Sequence, residues 1–122
     1  MRQSAVFQSQ LAQFEARLRM IRTSVFATAD EVYGNVVRTD AFTMEDRVAL
    51  RLACTHGINE AVALTTDVYR AAGATAIFPS QPFERRFRDA LTASQQVQAR
   101  IDHYENVGRY LLDLEPNSTM FL

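Results

Sequence analysis

A single apolar stripe along residues 4–33 constrains the fold of this chain more than any other feature. Its apolar side chains recur at steps of three or four residues, at Phe7, Leu11, Phe14, Leu18, Ile21, Val25, Ala29 and Val32. This spacing places them on one face of an α-helix of about eight turns. The opposite face is polar, so other helices must cover the stripe. The polar residues of that face are Gln10, Gln13, Arg17 and Asp30. Gly34 and Asn35 tolerate the left-handed conformation of a C-terminal cap, and we expect the helix to end there.

A second helix is predicted from Thr43 to about Ala72. The Thr43 hydroxyl can cap a free backbone N–H group, and the acidic residues that follow lie where the helix dipole favours them. One face is made largely of small residues, at Leu50, Cys54, Gly57, Ala61, Thr65, Val68 and Ala72. Another helix can therefore approach this face closely. Gly73 is the predicted C-terminal cap.

The remainder of the chain predicts one more long helix. Residues 74–82 contain two prolines and form a break, and residues 83–88 form a short turn. The last helix is expected over residues 89–112, with Pro116 stopping it and residues 115–122 irregular. Its apolar face uses Val97, Ile101, Tyr104, Gly108 and Leu111. The fold class is all-α: an antiparallel up-and-down helical bundle of three long helices plus short helical pieces, with residues 1–122 as a single domain.

Composition excludes several classes of protein. The net charge of −1 provides no strong field for nucleic acid or anionic lipid, although all thirteen basic residues are arginine. No apolar run reaches membrane-spanning length, and the N-terminus has no signal-peptide layout. Cys54 is the only cysteine, which excludes an internal disulfide and fits a reducing compartment. No metal site is expected. We therefore expect a cytoplasmic protein without nucleic-acid or membrane partners.

The densest cluster of charge lies in residues 82–89, which hold three arginines and two acids at the entrance to a helix. Free N–H groups and the positive end of the dipole suit an anion there, and neighbouring arginines suit a phosphate or pyrophosphate. The alternative is a structural elbow in which Arg88 and Asp89 form ion pairs with neighbouring helices. The residues by themselves favour this alternative.

Three motifs together resemble the C-terminal domain of acyl-CoA dehydrogenase-like flavoproteins. They are the run YRAAG at residues 69–73, the run PFER at 82–85, and the pair Arg88-Asp89. The later run HYENVGRYLL at 103–112 is similar to the flavin-dependent monooxygenase (hydroxylase) branch. The resemblance implies FAD or FMN and a small-molecule substrate in a full-length parent, and leaves open whether this chain alone binds a cofactor. Its implied cofactor contacts are Arg70, Gly73, Arg85 and Arg88.

Departures from the family pattern leave the catalytic residues unassigned. Arg70 stands where the dehydrogenases have a Gln that approaches a neighbouring subunit's flavin, and Ala74 replaces the second Gly. The dehydrogenase base position holds Val97, which cannot take an α-proton. The position of the monooxygenase histidine holds Gln96, which can form hydrogen bonds but cannot act as a base at neutral pH.

The resemblance also implies missing partners. Family members carry further domains before this bundle, and their bundle has one more long helix than this chain. We therefore expect a C-terminal fragment that is not catalytic alone. Apolar surface at Phe7, Phe14 or Leu52 would lack its cover, which predicts a homo-oligomer assembled through the helical bundle. The alternative from a different class is a non-catalytic helical oligomerisation or interaction module.

Overall fold

The computed structural model describes residues 3–117, and every regular element in that range is helical. The four α-helices are α1 (Ala5–Thr39), α2 (Met44–Ala72), α3 (Phe83–Ala93) and α4 (Asp102–Leu111). Two short 3₁₀ helices, Gly73–Ile77 and Val97–Ala99, follow α2 and α3. The predicted all-α class is confirmed. Over the same residues, no helix combines the length and apolarity that crossing a bilayer requires.

Helix α1 is longer than its sequence predicts. Gly34 and Asn35 lie inside it, and the chain leaves the helix at Asp40, which takes the left-handed conformation with φ 53°. The Asp40 N–H donates to the Val36 carbonyl, so an aspartate supplies the cap expected from glycine. Asn35 does not cap the helix; its Nδ2 donates to Asp46 Oδ1 at 3.1 Å. This hydrogen bond ties the last turns of α1 to the first turn of α2.

Both predicted ends of α2 are confirmed. Thr43 and Asp46 form a capping box, in which each side chain bonds the other residue's backbone N–H at 3.1 Å. At the other end, Gly73 has φ 58° and its N–H donates to the Arg70 carbonyl. A residue with a side chain would be strained at that φ, so glycine is required by the backbone itself.

Helices α1 and α2 pack antiparallel along the small-residue face. Arg17, near the start of α1, bonds Asp67 near the end of α2, whereas Asn35 reaches Asp46 at the other end. Gly57 is buried where the two helices approach closely, since a Cβ there would lie 2.8 Å from Val25 Cγ2. The predicted close approach of another helix to this face is confirmed at that position.

The long helix predicted over residues 89–112 is wrong. Helix α3 begins earlier, at Phe83, and ends at Ala93, and α4 begins only at Asp102. Side chains of α2 and α4 donate hydrogen bonds to the backbone carbonyl groups of residues 97–99, and the helix is interrupted there. Helix α4 also ends at Leu111, before Pro116, with Asp113 at φ 56°. The predicted irregular tail holds as far as Asn117, and its remainder lies outside the described residues.

Helices α3 and α4 follow one another along the side of α2 that faces away from α1. Phe87 of α3 stacks on Tyr69 near the end of α2, with ring centroids 4.9 Å apart. Val107 of α4 packs on Val48 near the start of α2. The pair therefore runs antiparallel to α2, and the up-and-down order is retained with two shorter helices in place of one long helix.

Candidate cofactor-contact surface

Arg70 lies in a polar groove between α1 and α2. The groove has a volume of about 390 Å³ and is lined by Gln10, Gln13, Phe14, Arg17, Asp67, Arg70 and Ala71. We refer to it as the Arg70 groove. The Arg70 side chain is exposed and makes no hydrogen bond or ion pair within residues 3–117. A guanidinium group with free N–H donors is suited to a phosphate, which it can bind through two parallel hydrogen bonds.

Gly73 begins the 3₁₀ helix that follows α2. It is exposed, and no atom of residues 3–117 lies within 4 Å of the position that a Cβ would take. Among the described residues, glycine is therefore required by its φ of 58° and not by a close neighbour. The surface at this point is open to a group from outside.

Arg85 and Arg88 lie on the outer face of α3, since Phe83 and Phe87 turn toward α2. Their side chains are 82% and 68% exposed. Arg85 pairs with Asp89 at 3.7 Å and Arg88 with Glu84 at 2.8 Å, one turn away on the same helix. The alternative interpretation, with Arg88 and Asp89 paired to neighbouring helices, is therefore wrong. Exposed pairs of this kind contribute about 0.3–0.5 kcal/mol, so a phosphate can replace the carboxylate partner at little cost.

The structure does not bring the four predicted contacts into one pocket. Neither Arg85 nor Arg88 lines the Arg70 groove, and α3 meets the end of α2 through the stacked pair of Phe87 and Tyr69. Pro82, which precedes α3, supplies no side-chain cap, and Glu84 occupies the first turn, where it opposes a second anion. The arginine donors could hold a phosphate group at two separate patches, one at Arg70 beside Gly73 and the other at Arg85 and Arg88.

Gln96 and Val97 lie on a tightly held connection between α3 and α4. Gln96 is exposed, and its backbone carbonyl accepts a hydrogen bond from Ala99 N at 3.0 Å. Within the described range its side-chain amide makes no hydrogen bond, and Val97 is 38% exposed. Both positions therefore face outward from the bundle, where a further domain or a ligand can reach them.

Comparisons with known proteins show the family of this chain. The family model for the acyl-CoA dehydrogenase C-terminal domain matches residues 1–100. The chain belongs to this family. It is also 28% identical over 111 residues to an indole-3-acetate monooxygenase of Acinetobacter baumannii, an alignment that covers 91% of the chain. The chain spans 28% of the length of that relative. The resemblance inferred from the motifs at residues 69–73, 82–85 and 88–89 is thus confirmed at the level of the family.

Three residues that hold the Gln96 connection were missed by the sequence analysis of this acyl-CoA dehydrogenase-like domain. Thr55, fully buried, donates to the Gln98 carbonyl at 2.7 Å, and Asn59 donates to the Ala99 carbonyl at 2.9 Å. His103, also buried, donates from Nε2 to the Val97 carbonyl at 2.6 Å. Thr55 and Asn59 stand one turn apart on the α2 face opposite the small-residue face. Two polar residues one turn apart on an otherwise packed face are the sequence feature that could have indicated these hydrogen bonds.

A network of ion pairs beside Arg70 was also missed, because Arg17 was assigned to the polar outer face of α1. Its Nη1 donates to Asp67 Oδ2 at 2.7 Å and its Nη2 to Glu60 Oε2 at 3.3 Å. The hydrogen bond that Arg17 donates to Asp67 raises the pKa of Arg17, partial burial opposes this rise, and the bond to Glu60 adds to it. Nothing in the spacing of α1 alone indicates these partners, which lie on another helix.

His56 and Tyr104 form a second polar contact. Their Nδ1 and Oη atoms are 3.2 Å apart, across the α2–α4 interface. Burial, with a smaller contribution from Glu60, raises the pKa of the Tyr104 hydroxyl. Within residues 3–117 no three His, Cys, Asp or Glu side chains are placed to hold a metal ion.

An apolar groove adjoins the Arg70 groove, with which it shares Phe14 and Ala71. Its volume is about 460 Å³. It is lined mainly by Phe7, Leu11, Phe14, Leu18, Leu64, Val68, Ala71, Ala72 and Phe83. We refer to it as the apolar groove. Leu11 and Leu18 are 55% and 43% exposed, whereas Phe7 and Phe14 are half-buried. The predicted uncovered apolar surface is therefore present, and Leu52 adds a separate exposed side chain elsewhere.

Proposed function

We propose that this chain is the C-terminal helical domain of a flavin-dependent oxidoreductase of the monooxygenase type. Membership of the acyl-CoA dehydrogenase C-terminal family over residues 1–100 carries this proposal, and the similarity to an indole-3-acetate monooxygenase favours that branch. Residues 1–122 would then form one cytoplasmic domain of a longer protein. Its partners would be FAD or FMN, a small-molecule substrate and further copies of itself.

The proposed role of the domain is to position the cofactor. The flavin itself carries the redox chemistry when bound. Arg70 would donate to a phosphate of the cofactor, with Gly73 leaving the surface beside it open. Arg85 and Arg88 would supply a second basic patch, toward the cofactor or toward a neighbouring subunit. Gln96 would donate a hydrogen bond, and it would move no proton because an amide does not titrate at neutral pH.

Cofactor binding is tested in the full-length protein that carries this domain. Arg70→Gln should weaken flavin binding, measured by fluorescence titration of the stripped protein, by roughly tenfold or more, since a charge-assisted hydrogen bond contributes about 1.5–3 kcal/mol. Arg19→Gln is the matched control, because Arg19 is an exposed arginine of α1 paired only with Glu15. A full-length protein that purifies colourless and takes up neither FAD nor FMN would contradict the proposal.

Subunit assembly is the second proposed role, and the apolar groove supports it. Leu11 and Leu18 expose apolar area that a second copy of the chain can bury. Sedimentation of the chain at micromolar concentration should give a mass above that of one chain. Leu18→Arg should shift it toward the monomer, whereas Met20→Arg, at an exposed position that does not line the groove, should not. A monomeric mass for the unmodified chain would contradict this role.

The same groove favours one alternative function. A non-catalytic helical module would use the apolar groove to assemble with partners and would need no cofactor. The flavin titration separates the two functions, because only the oxidoreductase domain loses cofactor affinity when Arg70 is replaced.

A further inference from the structure

Within residues 3–117, Arg70 has no carboxylate partner, unlike Arg17, Arg85 and Arg88. Arg85 and Arg88 each pair with an acid one turn away on α3, and Arg17 pairs with two acids of α2. Arg70 has no such pair within residues 3–117, although Asp67 stands three positions before it. Residues at this spacing are neighbours on a helix surface, with Cβ atoms about 5–6 Å apart. An aspartate so placed is the ordinary partner for an arginine.

Asp67 is instead held by the neighbouring helix. Its Oδ2 accepts from Arg17 Nη1 at 2.7 Å, the shorter of the two bonds that Arg17 makes. The second guanidinium nitrogen of Arg17 bonds Glu60 at 3.3 Å, which fixes the orientation of the fork from both sides. Arg17 is about two-thirds covered, with its side chain 34% exposed. A lysine could not hold two carboxylates in this way, because it lacks the planar fork.

We propose that Arg17 is a positioning residue for Arg70: by holding the carboxylate of Asp67, it keeps the Arg70 guanidinium available for a phosphate group. This inference rests on the proposed function, in which Arg70 contacts a phosphate of the cofactor. It adds a residue of α1 to that contact and identifies Asp67 as the group that would otherwise compete for Arg70.

The composition of the Arg70 groove agrees with a phosphate as its ligand. Arg17 and Asp67 pair with each other in the groove, and within residues 3–117 Arg70 is the charged lining residue that has no partner. Gln10 and Gln13 line the same groove and add neutral amide donors, of which Gln13 Nε2 is bonded to Ser9 Oγ at 3.2 Å. As far as the described residues show, a ligand entering the groove thus meets the unpaired Arg70 guanidinium flanked by amides.

The test uses the chain with inorganic pyrophosphate as the probe, titrated while the Arg70 Nε–H resonance is followed by NMR. Arg17→Gln should weaken pyrophosphate binding roughly two- to fivefold, the range expected when an exposed ion pair of about 0.5–1 kcal/mol must first be broken. Its Arg70 Nε–H signal should shift even without pyrophosphate, because Asp67 then accepts from it. Asp67→Asn, which leaves Arg17 in place, should bind pyrophosphate at least as tightly as the unmodified chain.

Two double variants separate positioning from total charge. Arg17→Gln with Asp67→Asn should restore binding, since no competing carboxylate is left. Arg17→Gln with Glu60→Gln has the same net charge and should stay weak, because Asp67 is still free to pair with Arg70. Circular dichroism of each variant verifies that the helices are retained.

The possible failures are distinguishable. If Arg70→Gln leaves pyrophosphate binding unchanged, or the unmodified chain shows no shift at Arg70, the proposed phosphate contact is overturned. If Arg70→Gln weakens binding and Arg17→Gln does not, the contact stands and the positioning role of Arg17 is overturned. Equal recovery in the two double variants also overturns it, because net charge would then account for the effect.

Discussion

Gly57 provides a direct test of how closely α1 and α2 approach. A Cβ at this position would lie 2.8 Å from Val25 Cγ2, and ordinary contacts between carbon atoms are about 3.5–4.0 Å. One of the helices, or Val25 itself, must therefore move by about 1 Å. Valine is branched at Cβ and has few rotamers in a helix, so it cannot simply swing aside. We expect this overpacking to cost about 1–3 kcal/mol.

Helix propensity acts in the opposite direction, so a matched control is required. Replacing a glycine inside a helix by alanine gains about 0.8–1 kcal/mol. Gly34 lies inside α1, and a Cβ there has no atom within 4 Å. Gly34→Ala should therefore stabilise the chain by that full amount. Gly57→Ala should be less stable than Gly34→Ala by about 1–3 kcal/mol, the cost of overpacking alone.

The assay is urea unfolding followed by circular dichroism, since the chain has no tryptophan to report by fluorescence. All variants are compared at one chain concentration, because association with another copy would add to the measured stability. The double variant Gly57→Ala with Val25→Ala should recover part of the loss relative to Val25→Ala alone. Equal stability of Gly57→Ala and Gly34→Ala would refute the close approach of the two helices at this point.

Two further predictions concern single polar groups. Thr55→Val should lower the free energy of unfolding by about 1 kcal/mol, because it removes the hydrogen bond to the Gln98 carbonyl while keeping the shape of the side chain. The control is Thr65→Val, because the Thr65 hydroxyl bonds the Ala61 carbonyl within α2. It should be nearly neutral in the same urea assay. The hydrogen bond from Asn35, followed by those from Thr43, lowers the pKa of the Asp46 carboxyl group in the folded chain. The ionised carboxylate therefore stabilises the fold fully above the pKa of an unfolded aspartate, about 3.9, and this stabilisation is lost as the pH falls through the lower pKa of the folded state. Asp46→Asn should therefore be destabilising at pH 7 and progressively less so in unfolding curves taken down to pH 3, and a difference that is the same at all pH values would contradict this reasoning.

The elements that could be predicted from sequence are those set by local chemistry. Thr43 caps α2 and Gly73 ends it because each requirement is met within a few residues: a hydroxyl for free N–H groups and a left-handed φ. The stripe from Phe7 to Val32 was sufficient for α1, since its period is set by the helix itself. The motifs at residues 69–73 and 82–89 were sufficient to identify the family.

The errors arise where distant residues decide the backbone. Asn35 looked like a helix end, but its amide is used by Asp46 of the next helix, so α1 continues to Thr39. The apolar period through Val97 and Ile101 favours a continuous helix. Hydrogen bonds from Thr55, Asn59 and His103 overcome that preference, and no local pattern reveals them. The ion pairs of Arg17 could not be predicted for the same reason, because each of them joins α1 to α2.

The connection at residues 97–99 has its shape set by other parts of the chain. Its carbonyl groups are held by Thr55, Asn59 and His103, while the side chains of Gln96 and Val97 take no part in those bonds. Replacing the side chains at 96 and 97 would therefore leave those three hydrogen bonds in place. A domain built in this way can gain or lose an acid or a base at that point by a single substitution. A new reactive side chain can therefore be introduced at this place while the hydrogen bonds that hold the connection are kept.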